Sequence, residues 1–201
     1  MLRVEHLSTE IGDFALRDVS FEVNAGDYFV LLGASGAGKT LLLEALAGLV
    51  RPDAGRIFWD DCEITRTRIQ HRGFGLVYQQ QALFPHLSVY NNIAYGLRAW
   101  GARRRDVAAR TRALAAETGA DALLDRMPGT LSGGEAQRVA LAVEPRCLLL
   151  DEPLASLDTQ ARAQMRALLR RLNQRGHTVI PVTHDYAVSY THLTLPTKRI
   201  V

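Results

Sequence analysis

The chain has 201 residues, of which 47% are hydrophobic and 22% charged, and its net charge is +3. That balance excludes a disordered segment and is ample for one large domain with a sizeable core, while so mild a charge argues for neither a nucleic-acid surface nor a polybasic membrane patch. Cys62 and Cys147 are too few and too far apart for a disulfide framework or a zinc site, and read as thiols of a reducing compartment.

The opening MLRVEHLSTE carries no apolar signal segment, and the longest apolar stretches are strand-sized, so work at a membrane would require a partner. Val19, Phe21 and Val23 alternate with polar residues as a half-buried strand does. Residues 24–27 read as a turn and 28–32 as a buried strand. A run of small residues, 33–40, leads into a helical pattern over 41–49 that stops near Gly48. Residues 56–59 and 75–78 predict two further strands. From Ser88 to about Leu124 the spacing is helical with no strand, and Arg103, Arg104 and Arg105 read as a solvated helix face. Residues 147–150 form a short apolar strand, 159–174 a helix and 177–182 the last strand the pattern supports. Strands alternating with helices imply an α/β fold with a mainly parallel sheet covered on both faces, and a central helical subdomain.

Among the 24 basic residues, only Lys39 and Lys198 are lysines. A lysine that survives such an arginine bias marks a place where a compact ammonium is needed rather than a planar fork. Lys39 lies in GASGAGKT, residues 33–40, which matches the phosphate-binding loop pattern at Gly33, Gly38, Lys39 and Thr40, with a strand before and a helix after. Gly33, Ala34, Ser35, Gly36, Ala37 and Gly38 would let backbone N–H groups wrap a phosphate chain at a helix start. Lys39 would reach the β- and γ-phosphates, and the Thr40 hydroxyl would help hold Mg²⁺. The second half is CLLLDE, residues 147–152: an apolar strand delivers Asp151 to its C-terminal end, where it can help hold Mg²⁺ through a bound water. Glu152, next along, can orient or deprotonate an attacking water.

These parts are common to many P-loop ATPases and GTPases. Leu131, Ser132, Gly133, Gly134 and Glu135, followed by Gln137 and Arg138, resemble the signature motif of the ABC ATPases. Its physical sense is a second helix-start anion site facing a γ-phosphate held by another subunit. The resemblance covers about residues 1–188 and implies a P-loop NTPase fold with N-terminal antiparallel strands and a helical subdomain at about 85–140. It implies ATP and Mg²⁺ as ligands and a head-to-tail second copy. Gln79 resembles the Q-loop glutamine that touches Mg²⁺ and water; Leu41 stands where many members carry a second hydroxyl, for the α-phosphate. Ser156, Leu157 and Asp158 resemble the D-loop, and His184 the switch histidine that contacts the γ-phosphate. Phe14 sits where members stack an aromatic ring on adenine, though a core phenylalanine would read the same.

Residues 82–97 resemble importer ATPases, and the opening through residue 39 resembles those of molybdate or tungstate uptake. The implied partners are transmembrane permease subunits and an extracytoplasmic binding protein, with no nucleic acid, at the cytoplasmic face of the membrane. A soluble ABC ATPase of DNA repair or translation, and a fragment that binds nucleotide without hydrolysing it, are the competing readings. Two departures matter. Where the family pattern runs QRVALARALAVEP, this chain runs QRVALAVEP, about four residues fewer between Gln137 and Pro145. Such a loss shortens a helix by ~6 Å while turning it only ~40° beyond a full revolution, so the apolar face would survive and the distance would not. Residues 189–201 do not continue the family pattern and suggest a truncated chain with a foreign tail.

Overall fold

Inward-facing residues that change parity partway along give the first two strands their shape. β1 (Leu2–Ile11) and β2 (Phe14–Val23) form an antiparallel hairpin whose register shifts between Val4 and Leu7 and again before Thr9. His6 and the facing Asp18 take left-handed backbone there, at φ 49 and φ 53. β4 (Ala54–Trp59) joins the other edge of β1, and β5 (Cys62–Glu63) joins β4, completing an antiparallel sheet. The computed structural model describes residues 1–12, 14–34, 36–79, 83–143, 145–155 and 157–184, and the backbone of 197–199.

The second sheet is parallel throughout. It comprises β3 (Val30–Leu32), β6 (Phe74–Val77), β7 (Cys147–Asp151), β8 (Thr178–Thr183) and β9 (Thr197–Arg199), in the order β6-β7-β8-β3-β9. The sequence pattern supports no strand beyond residue 182, yet β9 pairs with β3 through Val30↔Thr197 and Leu32↔Arg199. Along β7, Cys147 and Leu149 point to one face and Leu148 and Leu150 to the other. The first face packs on α1 (Lys39–Ala47), which the antiparallel sheet covers from its far side; the second packs on α6 (Thr159–Gln174). This is the α/β arrangement expected, and α6 occupies the span its sequence periodicity indicates. Asp158 caps α6 by accepting from the Ala161 N–H at 2.9 Å. A third core joins α3 (Val89–Ala99), α4 (Arg104–Thr118) and α5 (Gly133–Ala140) as the helical subdomain.

The short helix α2 (Ile69–Arg72) ends in a buried arginine. One Arg72 nitrogen donates to the carbonyls of Ala45 and Leu46, both at 2.7 Å; the others donate to Thr65 O at 2.8 Å and Thr67 O at 2.9 Å. A guanidinium thus sits on the last carbonyls of α1, where a positive charge also suits the helix dipole. Burial lowers its pKa to about 10. Gly48 makes the space: its φ is 88, and a Cβ there would lie 2.6 Å from Arg72 Nε. Replacing Arg72 by Met strips those carbonyls of their partner, and we expect a loss of ~2–4 kcal/mol, read as a lower midpoint in urea unfolding. An unchanged midpoint would show that the cap is dispensable.

Candidate nucleotide site

The parallel sheet brings the C-terminal ends of β3, β6, β7 and β8 to one edge, and α1 begins there. After β3 the loop turns through Gly36 and Gly38, both left-handed at φ 83 and φ 77. A Cβ on Gly38 would meet Leu16 at 2.9 Å, so the hairpin roofs the loop closely. Gly38 is the N-cap of α1; no side chain caps that end, and its first turn carries no acidic residue. The positive end of the helix dipole is therefore offered to an anion. Lys39 is buried, with Nζ donating to the carbonyls of Gly33 at 2.9 Å and Ala34 at 2.8 Å and lying 3.8 Å from Glu152.

Thr40 Oγ1 donates to Asp151 Oδ2 at 2.8 Å, joining α1 to the end of β7. Burial pushes the Asp151 carboxyl above its ordinary pKa; the Thr40 hydroxyl opposes that rise and neighbouring Glu152 reinforces it. At Glu152 the backbone turns left-handed, φ 46, a conformation costing a non-glycine residue ~1–3 kcal/mol. The turn ends β7 and swings the carboxylate back to the edge of β8. There Thr183 Oγ1 donates to Oε2 at 3.3 Å, and His184 Nδ1 lies 2.7 Å from Oε1.

These residues line one cleft of ≈ 460 Å³, with Gly36, Gly38, Lys39, Thr40 and Leu41 on its floor and Gln79, Asp151, Glu152 and His184 along a wall. Phe14 and Ile11, from the hairpin tip, form an apolar rim and are 53% and 48% exposed, so Phe14 is not a core residue. Leu41 is buried and belongs chiefly to the core. Sequence reading overlooks Ile11, Glu44 and Ala155, which also line the cleft. Glu44 had a signal available, since it follows Thr40 by four residues and so shares its helix face. Its carboxylate accepts from the Tyr78 hydroxyl at 2.9 Å, and burial with that bond pushes the Tyr78 pKa up to about 12.

The signature residues do not line this cleft. Ser132 is the N-cap of α5 and shares a capping box with Glu135: Ser132 Oγ accepts from Glu135 N at 3.3 Å, and Glu135 Oε2 accepts from Ser132 N at 2.7 Å. Those hydrogen bonds to Ser132 hold the Glu135 carboxyl below its ordinary pKa. Ser132 and Gly133 are exposed, while Leu131 and Gly134 are half-buried. Gln137, grouped with them in the motif, is placed differently. It is buried, and its Nε2 donates to Pro153 O at 2.5 Å, because it lies on the face of α5 turned towards the segment after β7. Beyond it, α5 stops at Ala140, buried Leu141 and Ala142 continue as a turn, and Arg146 N bonds Gly73 O at 2.7 Å just before β7. Leu157 packs beside α6, and exposed Asp158 caps it. Ser35 and Ser156 lie outside the described residues.

The chemistry of the wall fits Mg²⁺. Thr40, Asp151 and Gln79 offer hard oxygens, and Asp151 is a carboxylate whose charged form burial disfavours. Mg²⁺ takes few protein ligands and completes its octahedron with water and phosphate oxygens.

A helix start beneath a glycine loop, a buried lysine and a strand-end Asp-Glu pair, all at the C-terminal edge of a parallel sheet, define a P-loop nucleotide-binding fold. The sequence profile of the ABC transporter family matches residues 16–155. The chain belongs to that family. It is 46% identical over 191 residues to the molybdate/tungstate import ATP-binding protein WtpC of Pyrococcus horikoshii, covering 92% of this chain and 55% of that protein. To the sulfate/thiosulfate import ATP-binding protein CysA 2 of Rhizobium meliloti it is 45% identical over 194 residues, covering 92% and 53%. The chain thus spans about half the length of the curated relatives it matches. A dimeric post-hydrolysis state of the ATP-binding cassette MJ0796, bound to ADP and Pi, superposes with a TM-score of 0.77 at 25% identity, over 94% of this chain and 90% of that one.

Because the folded environment disfavours the Asp151 charge, Asp151→Asn should leave the nucleotide-free chain at least as stable in thermal melting at neutral pH. It should also remove the Mg²⁺ dependence of nucleotide binding. A lower melting temperature would show that the carboxylate supports the fold.

Proposed function

We propose that this chain binds and hydrolyses MgATP as the ATPase subunit of an ABC importer. The observation that carries the reading is the convergence, in one cleft, of the Lys39–Glu152–His184 cluster with the Thr40–Asp151 pair. Lys39 and the first amides of α1 bind the β- and γ-phosphates, exchanging the loop carbonyls for phosphate oxygens. Thr40, Gln79 and, through water, Asp151 hold Mg²⁺, which when bound neutralises phosphate charge. Glu152 orients or deprotonates the attacking water, and His184, hydrogen-bonded to it, contacts the γ-phosphate. Phe14 stacks on adenine, with Ile11 beside it. Leu41 supplies no hydroxyl, so the α-phosphate receives no side-chain hydrogen bond at that position.

The exposed start of α5 serves a second copy. In the capping box the Ser132 oxygen accepts, which leaves its proton for a phosphate oxygen, and the Gly133 and Gly134 amides lie beside it. The pairing is a head-to-tail homodimer, with Leu157 and Asp158 at the crossing between copies. The dimeric MJ0796 cassettes support it. The relatives, import ATP-binding proteins for molybdate/tungstate and sulfate/thiosulfate, support an importer that takes an oxyanion. In this reading its partners are permease subunits and an extracytoplasmic binding protein, and it works at the cytoplasmic membrane face. Among the described residues no helix is long and apolar enough to cross a membrane.

Two substitutions test the chemistry. Lys39→Ala should abolish ATP binding in a fluorescent-nucleotide titration while leaving the fold intact. Glu152→Gln should bind ATP, trap a nucleotide-bound dimer and lower turnover by ~10²–10⁴-fold; normal turnover would remove Glu152 as the base.

The shortened α5 makes a separate claim. Among the described residues, the buried Gln137 Oε1 finds no hydrogen-bond partner, at a cost of ~1–3 kcal/mol. That orphan lies where a fixed helix start must meet a fixed strand. Reinserting Ala-Arg-Ala-Leu after Ala142 should raise ATP-dependent dimerisation and phosphate release together, with nucleotide binding by one chain little changed. Equal activity with and without the insertion would show that the short connection is tolerated.

A further inference from the structure

We propose that Glu44 and Tyr78 are a positioning pair that fixes Gln79 against the metal-holding wall of the cleft. Glu44 stands one helical turn beyond Thr40 on α1 and lines the same cleft as Thr40, Gln79 and Asp151. Tyr78 is the first residue after β6. The ladder to β7 ends at Val77↔Leu150, so Tyr78 emerges level with Asp151. From that point the chain has left the sheet, and Tyr78 Oη donates to Glu44 Oε1 at 2.9 Å. Gln79 follows immediately.

The two ends of this strut differ in rigidity. α1 is buried between two sheets and held by Arg72 at its far end, so Glu44 is a fixed point. Tyr78 lies just past the last rung of the β6–β7 ladder, Val77↔Leu150, so its hydroxyl bond adds a restraint where that ladder stops. A partly buried hydrogen bond to a carboxylate is among the stronger neutral-to-charged contacts, and one placed a single residue before Gln79 restrains where that amide sits. It also turns the Glu44 carboxylate towards a neutral donor in a wall that already holds Asp151 and Glu152. The pair therefore acts through Gln79 on metal affinity.

The inference rests on Gln79 and Asp151 serving Mg²⁺, so its test separates the two. Binding of a fluorescent ATP analogue to the full chain is titrated in EDTA and at rising Mg²⁺. Tyr78→Phe and Glu44→Ala should each raise the Mg²⁺ concentration for half-maximal tightening by ~3–10-fold, the scale of one hydrogen bond, with EDTA affinity unchanged. Glu44→Gln keeps an acceptor and should stay within about twofold of the parent. The double variant Tyr78→Phe/Glu44→Ala should be no worse than either single, since one bond is lost once. Unchanged Mg²⁺ dependence in Tyr78→Phe, multiplicative losses in the double, or equal losses with and without Mg²⁺ would each overturn the pair. A parent chain whose nucleotide binding ignores Mg²⁺ would instead overturn the metal-site reading itself.

Discussion

A helix packed on two sides cannot slide along its axis without opening a void on one flank and a clash on the other. α1 is such a helix, with seven of its nine residues buried between the antiparallel hairpin and the parallel sheet. Its C-terminal carbonyls are held by Arg72, and its N-terminus opens at the sheet edge. Lys39, Thr40 and Glu44 all project from its first turns, so each inherits the helix's fixed position. Their contacts with Glu152, Asp151 and Tyr78 then set the two loops that leave the sheet after β7 and β6. Leu41 shows the other side of this economy: it lines the cleft from the same turn, yet is set in the core and serves packing.

The cleft is built against local stability. Glu152 occupies left-handed backbone, and Asp151 carries a charge that its surroundings disfavour. Both features sit where a strand of wholly buried apolar residues ends, and that strand is what over-determines them. The continuous ladders from β6 through β7 to β8 hold Asp151 and Thr183 in register regardless of the strain. Three acidic side chains, Glu44, Asp151 and Glu152, share the cleft, and each has a hydrogen-bond donor in place: Tyr78, Thr40, and Thr183 with His184. Such a wall is preorganised for a cation paired with an anion at the helix start.

Much of this was legible in the sequence, for local reasons. The phosphate loop and the strand ending at Asp151 are contiguous and chemically unusual, and α6 has clean helical spacing bounded by a capping aspartate. β1 was not legible as a strand. Its inward residues run Leu2, Val4, Leu7 and Thr9, and the shift at His6 breaks the two-residue period that identifies strands. Glu44 and Tyr78 were missed because their contact joins residues 34 apart across two elements that only the fold makes adjacent. The Gln137 contact with Pro153 was not legible because motif membership says nothing about which face of α5 a side chain takes. β9 pairs with β3 at the sheet edge, for which the sequence pattern gives no cue.

The position of Gln137 bears on how the proposed dimer could work. α5 begins at an exposed capping box and, five residues after Ser132, plants Gln137 on the Pro153 carbonyl, directly beyond the Asp151-Glu152 pair. A short helix therefore connects the surface proposed to face a second copy with the segment that carries Glu152, the proposed base. Helices transmit displacement along their axis because the rise per residue is fixed. Movement of the Ser132 end on docking would therefore be felt at Pro153, and through it at Glu152. In this chain the connection that follows the helix is unwound after Ala140 rather than helical. The contact at Gln137 lies before that break, so the path from Ser132 to Pro153 runs entirely within the helix.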